Sequence, residues 1–314
     1  MPFEIVPAGT NIDFISRRKI CAALSIALIA AGAVAAAVKG VELGIDFAGG
    51  YELHVKFLGA AIDEGPVRDA ANQVPGIKDV SVVRFGSADA NEFLVRFQSD
   101  EAIDAEASEE LQKEKRENLA SLVLGTLKGA VGDLRMERVD FVGPRVGAEL
   151  RDDGLKALLY AAILILIYIA FRFSSRFAPG AIAAVVHDLL ITASVFVILG
   201  WEFDLRILAA MLAILGYSLN DTIIIYDRVR ENLELRTSRE LETVLNQSVN
   251  QTLARTVLTS GTTFFAVLAL AVLGGEVIRP FAYAMLIGVI VGTYSSIYIA
   301  APVLMLLEER AAKA

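Results

Sequence analysis

The sequence has little of what a disulfide-stabilised protein or an enzyme requires. Cys21 is the only cysteine among 314 residues, so the chain forms no internal disulfide and any soluble part must be stable on its packed core alone. There is no glycine-rich nucleotide-binding loop, no cluster of metal ligands and no nucleophile placed beside a base in the sequence. These absences predict neither an enzyme nor a bound cofactor, and an energised process would have to draw on an ion gradient.

Apolar residues are abundant instead. Hydrophobic residues make up 55% of the chain and the mean hydropathy is +0.55, values typical of a membrane protein that carries a soluble part. In one of the apolar runs, Lys156 and Arg172 lie near the ends, from where both charges can reach the membrane interfaces. Six runs are long enough to cross a bilayer: Ile20–Val38, Leu155–Phe173, Phe177–Gly200, Ile207–Tyr226, Thr256–Gly275 and Phe281–Leu307.

Lysine and arginine are distributed unevenly between the two sides of these runs. The tails and short loops on one side hold 12 of them, whereas the short loops on the other side hold only Arg206 and Arg279. Positive charge favours the cytoplasmic side, so both termini are predicted to be cytoplasmic and residues 39–154 extracytoplasmic. Residues 39–153 carry a net charge of −9, from 14 Lys and Arg against 23 Asp and Glu. Such an acidic surface argues against nucleic acid as a partner.

The chain therefore divides into five parts. The sequence predicts a cytoplasmic tail (1–19), a first span (20–38), an extracytoplasmic unit (39–154), a bundle of five further spans (155–307) and a second cytoplasmic tail (308–314). Within the bundle, residues 227–255 form a loop with apolar side chains at helical spacing. This predicted helix either lies along the inner membrane interface or simply connects two spans and packs on the bundle.

The extracytoplasmic unit has the pattern of a small α+β domain. The order of its predicted elements, βαββαβ, is that of a ferredoxin-like fold. Asp46, Gly49 and Gly50 precede the first strand and predict a tight turn or hinge, because adjacent glycines permit backbone angles closed to other residues. Alternation and periodicity predict strands at Tyr51–Phe57, Val80–Phe85, Glu92–Phe97 and Leu134–Val142, with helices at Glu64–Val74 and Glu101–Val131.

One carboxylate lies inside a predicted span. Burying Asp221 as an anion in the hydrocarbon core costs a few kcal/mol or more, so this side chain needs a partner, a proton or a water-filled cavity. A group that must choose between these is a candidate proton carrier. The alternative is a permanent ion pair with Arg255, at the start of the fifth span, which would only fix the helix positions.

Further polar side chains lie in or beside the spans. They act either as a relay or as packing, since hydroxyl and other polar groups also hydrogen-bond between transmembrane helices. His187 and Asp188 are adjacent in sequence and therefore point to different helix faces, so they need not act together. The set comprises His187, Asp188, Asn220, Thr259 and Thr262.

Four segments form long and specific motifs. They are GIDFAGG (44–50), GYSLNDT (216–222), YDRVREN (226–232) and LTSGTT (258–263). With these motifs, and with the order of one span, an extracytoplasmic unit and five more spans, the chain resembles the SecF family of protein-export membrane subunits. That family is related to the resistance–nodulation–division exporters.

The resemblance implies a function and a set of partners. SecF-like subunits work with SecD in the bacterial inner membrane, beside the SecYEG channel and YajC, and use the proton-motive force to promote export of unfolded preproteins. Membrane lipid is the other expected contact, and protons are the coupling ion in place of a cofactor. The family's proton-handling carboxylate and arginine fall on Asp221 and Arg255 of this sequence.

Two other functions stay open. The chain could be half of a proton-coupled small-molecule exporter, whose extracytoplasmic unit would be larger and form a substrate pocket. It could also be a structural scaffold for SecD. An Asp221→Asn variant separates these readings, because a scaffold would tolerate it and a proton carrier would not.

Overall fold

The computed structural model describes residues 6–7, 9–86, 90–99, 109–172, 176–235 and 240–311. It divides into two compact units, a helical unit of residues 1–42 and 154–314, and a sheet unit, Leu43–Asp153. In chain order the elements are α1 (Arg18–Lys39), α2 (Ile45–Ala48), β1 (Gly50–Phe57), α3 (Glu64–Ala71), β2 (Ile77–Phe85), β3 (Glu92–Ser99), α4 (Glu109–Ala130), β4 (Leu134–Val142), α5 (Pro144–Arg172), α6 (Ala178–Leu199), α7 (Leu205–Glu234), α8 (Leu241–Leu273), α9 (Gly275–Ser295) and α10 (Ala301–Ala311).

Among the described residues, six helices are long and apolar enough to cross a membrane. They are α1, α5, α6, α7, α8 and the continuous segment Gly275–Arg310, in which a π-helical stretch, Ser296–Ala300, joins α9 to α10. Each of the six predicted runs lies on one of these helices and extends at most two residues beyond its ends, and Phe173, at the end of the second run, lies outside the described residues. The prediction of six membrane helices with a small antiparallel sheet domain is confirmed.

The fifth span is longer than the apolar run that predicts it. Helix α8 begins at Leu241 and continues without a break to Leu273, so the helix predicted within the loop and the fifth span are one element. Leu245 and Val249 are buried in the same apolar cluster as Phe177. Of the two interpretations of this loop helix, the structure supports the one in which it packs on the bundle.

Close packing of α7 against α9 depends on two glycines one helical turn apart. A Cβ added to Gly288 would lie 2.3 Å from Ile214 Cγ1, and one added to Gly292 would lie 3.1 Å from the Cα atom of Ser218. Small residues at this spacing let two membrane helices approach closely. The approach brings the polar side chains of α7 within hydrogen-bonding reach of α9.

The sheet unit has four strands in the order β2-β3-β1-β4, and every neighbouring pair is antiparallel. Alternate residues of β1 and β3 point into one apolar core, where Leu53 and Val95 are opposite one another and fully buried. Helices α3 and α4 cover this face with Val67 and Leu127. The predicted strand and helix positions agree with the observed elements, while residues 101–108 of the predicted long helix lie outside the described residues.

The glycines before β1 form the predicted turn, but a short helix precedes them. Asp46 lies in the first turn of α2, and Gly49 and Gly50 follow with φ of 73° and 122°. A Cβ on Gly49 would lie 2.7 Å from Pro144 Cα, and one on Gly50 would lie 2.7 Å from the carbonyl oxygen of Phe97. Both the backbone angles and the lack of space therefore require glycine here.

Candidate functional site

Asp221 is buried where α7, α8 and α9 meet. The residue is only 1% exposed. Its Oδ2 accepts a hydrogen bond from Ser260 Oγ of α8 at 2.8 Å, and Thr293 Oγ1 of α9 lies 3.1 Å from the same oxygen. Thr293 Oγ1 is also 2.8 Å from Ser260 Oγ. One carboxylate oxygen is thus held by hydroxyls from two neighbouring helices.

The other oxygen of Asp221 is not held. Two buried side-chain oxygens of the described residues lack a hydrogen-bond partner, and they are Asp221 Oδ1 and Thr256 Oγ1. Thr256 lies one turn before Ser260 on the same face of α8. Buried polar atoms are nearly always hydrogen-bonded, so an unsatisfied one in a native site needs a reason. A carboxylate with one oxygen available can take up a proton there without first breaking another hydrogen bond.

Arg255 does not neutralise Asp221. Among the ion pairs of the described residues, none joins these two side chains, and Arg255 is exposed on α8. Thr259 Oγ1 donates back to the carbonyl of Arg255 at 3.0 Å, a contact with the backbone of Arg255 and not with its guanidinium. The sequence alternative of a permanent ion pair is therefore wrong for this structure, because hydroxyls and not a cation contact the carboxylate.

Of the remaining candidates on α7 and α8, Thr259 lies within reach of the Asp221 carboxylate, whereas the others are exposed. Asn220 is exposed although it precedes buried Asp221. Thr262 is also exposed, and its hydroxyl donates to the carbonyl of Thr259 at 2.8 Å. We call Asn220 of α7 and Arg255 and Thr262 of α8 the exposed polar residues. In a membrane these groups need a surface other than lipid.

A second buried carboxylate lies at the junction of α6, α7 and α9. Asp188 is fully buried, and its Oδ2 accepts hydrogen bonds from Ser218 Oγ of α7 and, at 2.8 Å, from Ser295 Oγ of α9. Its Oδ1 is 2.8 Å from His187 Nδ1. Both oxygens of this carboxylate are therefore satisfied.

His187 extends this cluster to α1. Its Nε2 is 2.9 Å from Ser25 Oγ, which is 3.1 Å from the hydroxyl of Tyr294. The Tyr294 hydroxyl in turn donates to the carbonyl of Cys21 at 2.7 Å. A hydrogen-bonded chain thus runs from the middle of the bundle to its first helix.

The sequence predicts that His187 and Asp188 point to different helix faces and need not act together, and the structure nevertheless joins them by a hydrogen bond. Successive residues of a helix point about 100° apart, and the two side chains do contact different helices, α1 for His187 and α7 with α9 for Asp188. The imidazole nevertheless turns its Nδ1 towards the neighbouring carboxylate. One hydrogen bond thereby joins two sets of helix contacts that sequence spacing alone separates.

Most of the hydroxyls that surround the two aspartates are absent from the set of candidates chosen from the sequence. The side chains concerned recur in many transmembrane helices as packing groups, so their type alone carries no signal. Ser25 is an exception, because it is the only hydroxyl-bearing side chain in the apolar stretch between Arg18 and Lys39. The contacts of the aspartates and of His187 are made by Ser25, Ser218, Ser260, Thr293, Tyr294 and Ser295.

Fold and site together define a class of protein, a multi-pass membrane protein with carboxylates buried between its helices and a separate sheet domain. Residues 123–310 match a family model described as "Protein export membrane protein SecD/SecF, C-terminal". The chain belongs to the SecD/SecF family.

Full-length relatives and solved structures agree with this assignment. The chain is 41% identical to the protein translocase subunit SecF of Calditerrivibrio nitroreducens over 97% of both chains. It is 43% identical to that of Magnetococcus marinus, over 97% of this chain and 94% of the relative. The crystal structure of SecDF, a translocon-associated membrane protein of Thermus thermophilus, matches with a TM-score of 0.82 and 33% identity over 98% of this chain. This chain spans 40% of that SecDF chain.

Proposed function

We propose that this protein is a SecF-type subunit of the Sec protein translocase that works with SecD to promote preprotein export at the expense of the proton-motive force. The names of relatives aligned over nearly their full length support the role in translocation. On this assignment the protein lies in the bacterial inner membrane, beside the SecYEG channel and YajC, and its exposed apolar helices contact lipid. It is not an enzyme, and protons replace a cofactor.

The observation that carries the proposal is the half-satisfied carboxylate of Asp221. Its Oδ2 is bonded to Ser260 while its Oδ1 is buried without a partner. A carboxylate held in this way is fixed in position yet has an oxygen at which a proton can bind and leave. Ionisable groups inside membrane proteins commonly mark such pathways.

Arg255 is the second component of the proposed mechanism. It is exposed and makes no ion pair with Asp221, so it is available to a partner helix or to a different arrangement of α8. Approach of the guanidinium would favour the ionised carboxylate, and its withdrawal would favour the protonated acid. Proton uptake would then be coupled to helix position, and one proton crossing roughly 150 mV releases about 3.5 kcal/mol for that movement.

SecD is the partner that the helical unit requires. The SecDF chain of Thermus thermophilus is longer, since this chain spans 40% of it, and a second set of helices would cover the exposed polar residues. Leaving Asn220, Arg255 and Thr262 against hydrocarbon would cost several kcal/mol. Burial by SecD would also bring Arg255 into the low-dielectric region where its charge acts most strongly.

The sheet unit is, on this assignment, a ferredoxin-like domain on the extracytoplasmic side, with both termini cytoplasmic. The strand order β2-β3-β1-β4 with antiparallel neighbours supports the first point. The excess of lysine and arginine in the loops on the other side supports the second. An extracytoplasmic domain is suited to contact an unfolded preprotein as it leaves the channel.

Proton flux in reconstituted vesicles tests the proposal. The chain and SecD are purified as a complex, reconstituted with a pH-sensitive dye inside the vesicles, and assayed with and without an unfolded polypeptide. We expect flux that the polypeptide stimulates, and we expect Asp221→Asn to abolish it because the amide cannot ionise. The matched control is Glu234→Gln, which makes the same change from carboxylate to amide at an exposed position of α7 and should retain flux.

Two outcomes would overturn the proposal. Normal flux in the Asp221→Asn complex would mean that Asp221 is structural, as expected of a scaffold. Flux that depends on a small organic solute and not on polypeptide would instead identify half of an exporter.

A further inference from the structure

The hydrogen-bonded chain around His187 has only one consistent arrangement of protons. The hydroxyl hydrogen of Tyr294 is donated to the carbonyl of Cys21 at 2.7 Å, so Tyr294 can only accept from Ser25. Ser25 must then donate its own hydrogen to Tyr294, across 3.1 Å. A serine hydroxyl has a single hydrogen, so Ser25 cannot also donate to His187. The hydrogen between them, across 2.9 Å, must belong to Nε2 of His187.

This arrangement fixes what lies between His187 and Asp188. Nδ1 is 2.8 Å from Oδ1, and Oδ2 already accepts from Ser218 and Ser295. With Nε2 protonated, either Nδ1 carries a second proton beside a carboxylate, or Oδ1 carries a proton donated to neutral imidazole. Both cases place one titratable proton between the two residues. Without it, a nitrogen lone pair would face a carboxylate oxygen at hydrogen-bond distance.

The same cluster holds α1 in place. Ser25 and Gly32 are the two buried residues of α1, and they lie seven positions apart on one face. Ser25 meets His187, and Gly32 packs so closely on α6 that a Cβ there would lie 2.4 Å from the Cβ atom of Ser194. The rest of α1 is largely exposed, so the helix is attached at these two points.

We propose that His187 and Asp188 form a proton-holding clasp that fastens α1 to α6 and α9, separate from Asp221. The bound proton keeps the pair of His187 and Asp188 neutral overall and keeps Nε2 of His187 directed at Ser25. Loss of the proton leaves a net negative charge in a fully buried position and one hydrogen on the imidazole. If that hydrogen stays on Nε2, the hydrogen bond between Nδ1 and Asp188 is lost. If it moves to Nδ1, Ser25 must donate to Nε2 and gives up its hydrogen bond to Tyr294, so in either case the chain that fastens α1 loses one hydrogen bond. The inference does not depend on proton-driven export, since neither Asp221 nor a gradient enters it.

The surroundings of the clasp contain few other titratable groups. Tyr294 of α9 and Cys21 of α1 face it directly, and α7 contributes the hydroxyl of Ser218. Asp221, although also on α7, bonds instead to Ser260 of α8. Because Tyr294 and Cys21 are also titratable groups, the contribution of the His187–Asp188 proton is identified by comparison with Asp188→Asn, which removes that proton and leaves both neighbours in place.

Nitrogen NMR tests the proton arrangement. The chain has only two histidines, so a His54→Gln variant labelled with ¹⁵N-histidine shows His187 alone. We expect Nε2 to remain protonated from acidic to neutral pH, while the Nδ1 resonance responds to pH and to Asp188→Asn. A spectrum in which Nε2 is unprotonated and Nδ1 carries the only hydrogen would overturn the proposal.

Thiol labelling tests the attachment of α1. Cys21 is the only cysteine, and its labelling rate, divided by that of the denatured protein at the same pH, reports how firmly α1 is held. Ser25→Ala should raise this ratio about three- to twentyfold, as expected for a lost interhelical hydrogen bond in a membrane protein. Wild type should approach the variant's ratio as pH rises, whereas Asp188→Asn, whose amide can donate permanently to Nδ1, should give a flat profile.

The matched control is Ser194→Ala, which lies in the same α1–α6 contact but outside the hydrogen-bonded chain. It should leave the pH profile of Cys21 labelling unchanged. If Ser25→Ala has no effect, or if Asp188→Asn retains the wild-type pH profile, the clasp does not exist.

Discussion

The two buried aspartates of the helical unit differ in how much of each carboxylate is hydrogen-bonded. Both use Oδ2 to accept from hydroxyls on two neighbouring helices, Ser218 and Ser295 for Asp188, and Ser260 and Thr293 for Asp221. Their other oxygens differ, because Oδ1 of Asp188 meets His187, whereas that of Asp221 is buried without a partner.

This difference separates two uses of a carboxylate in a membrane. A buried polar group that is fully satisfied stabilises one arrangement of its neighbours, and a partly satisfied one costs free energy while it stays unchanged. We therefore interpret Asp188 as a group that fixes helix positions as long as its shared proton is present. Asp221 is interpreted as a group that exchanges its proton during work.

The largest effect should come from removing the exchangeable proton. Asp221→Asn keeps the size of the side chain and one acceptor oxygen, so the protein should accumulate normally, yet proton-driven export of a preprotein should be abolished. Export assayed in cells that depend on this chain, with protein level measured in parallel, checks the prediction. Asp188→Asn is the control and should retain substantial export. If the two variants are equally impaired, the comparison fails.

The second prediction concerns the free energy of unfolding instead of export. Asp188→Ala removes the acceptor of a buried, fully hydrogen-bonded pair and should cost about 3 kcal/mol in the free energy of unfolding. Asp221→Ala removes a carboxylate that is already half unsatisfied, and should cost less than half as much. Unfolding of the purified chain in detergent measures both. A cost for Asp221→Ala equal to that for Asp188→Ala would contradict the difference drawn from their Oδ1 atoms.

The sequence alone could locate these aspartates but not distinguish them. Length and hydropathy identify the spans, and alternation identifies strands such as β1, because both signals are local. Asp221 is conspicuous in an apolar run for the same reason. The hydroxyls of Ser260 and Thr293 become partners only when α8 and α9 are brought to α7, which depends on tertiary packing through Gly288 and Gly292.

In two further places the structure adds to what local sequence patterns predict. The apolar spacing within residues 227–255 predicts a helix, and in the structure this helix and the fifth span are one element, α8, from Leu241 to Leu273, while α7 extends to Glu234. The angular spacing of His187 and Asp188 on their helix indicates that the two side chains need not act together. The imidazole is nevertheless long enough to turn back and contact the neighbouring carboxylate. The contacts of His187 and Asp188 with α1, α7 and α9 depend on tertiary packing, which local sequence patterns do not describe.

The third prediction concerns the cation that the proposed cycle requires. Arg255→Lys keeps the positive charge but loses the planar fork that can bind a carboxylate through two hydrogen bonds. Export should therefore be reduced but not abolished, and Arg255→Gln should be more severe than Arg255→Lys. The control is Arg230→Lys, at an ion pair with Glu234 on α7, which should be near wild type. Equal export in Arg255→Gln and wild type would remove Arg255 from the mechanism.

The smallest effect is expected for a carboxylate that has cationic partners but lies within reach of water. Glu92 of β3 accepts from Lys56 Nζ at 2.8 Å and is 3.0 Å from His54 Nε2. The hydrogen bond from Lys56 lowers the pKa of Glu92 below its ordinary value of 4.5, burial opposes this, and the hydrogen bond from His54 adds a further, smaller lowering. A lowered pKa means that this group stabilises the fold above pH 4.5 and that the contribution is lost as pH falls through the folded-state pKa.

Glu92→Gln should therefore cost at most about 1 kcal/mol at neutral pH, the range of partly exposed ion pairs, and the difference from wild type should shrink below pH 4.5. Amide hydrogen exchange of β1 and β3 in the full chain, at neutral and at acidic pH, measures this local stability. Glu137→Gln, at the more exposed pair with Arg135, is the matched control and should cost less. A cost for Glu92→Gln that matches Asp188→Ala, or that grows as pH falls, would mean that burial does not decide what a carboxylate contributes in this protein.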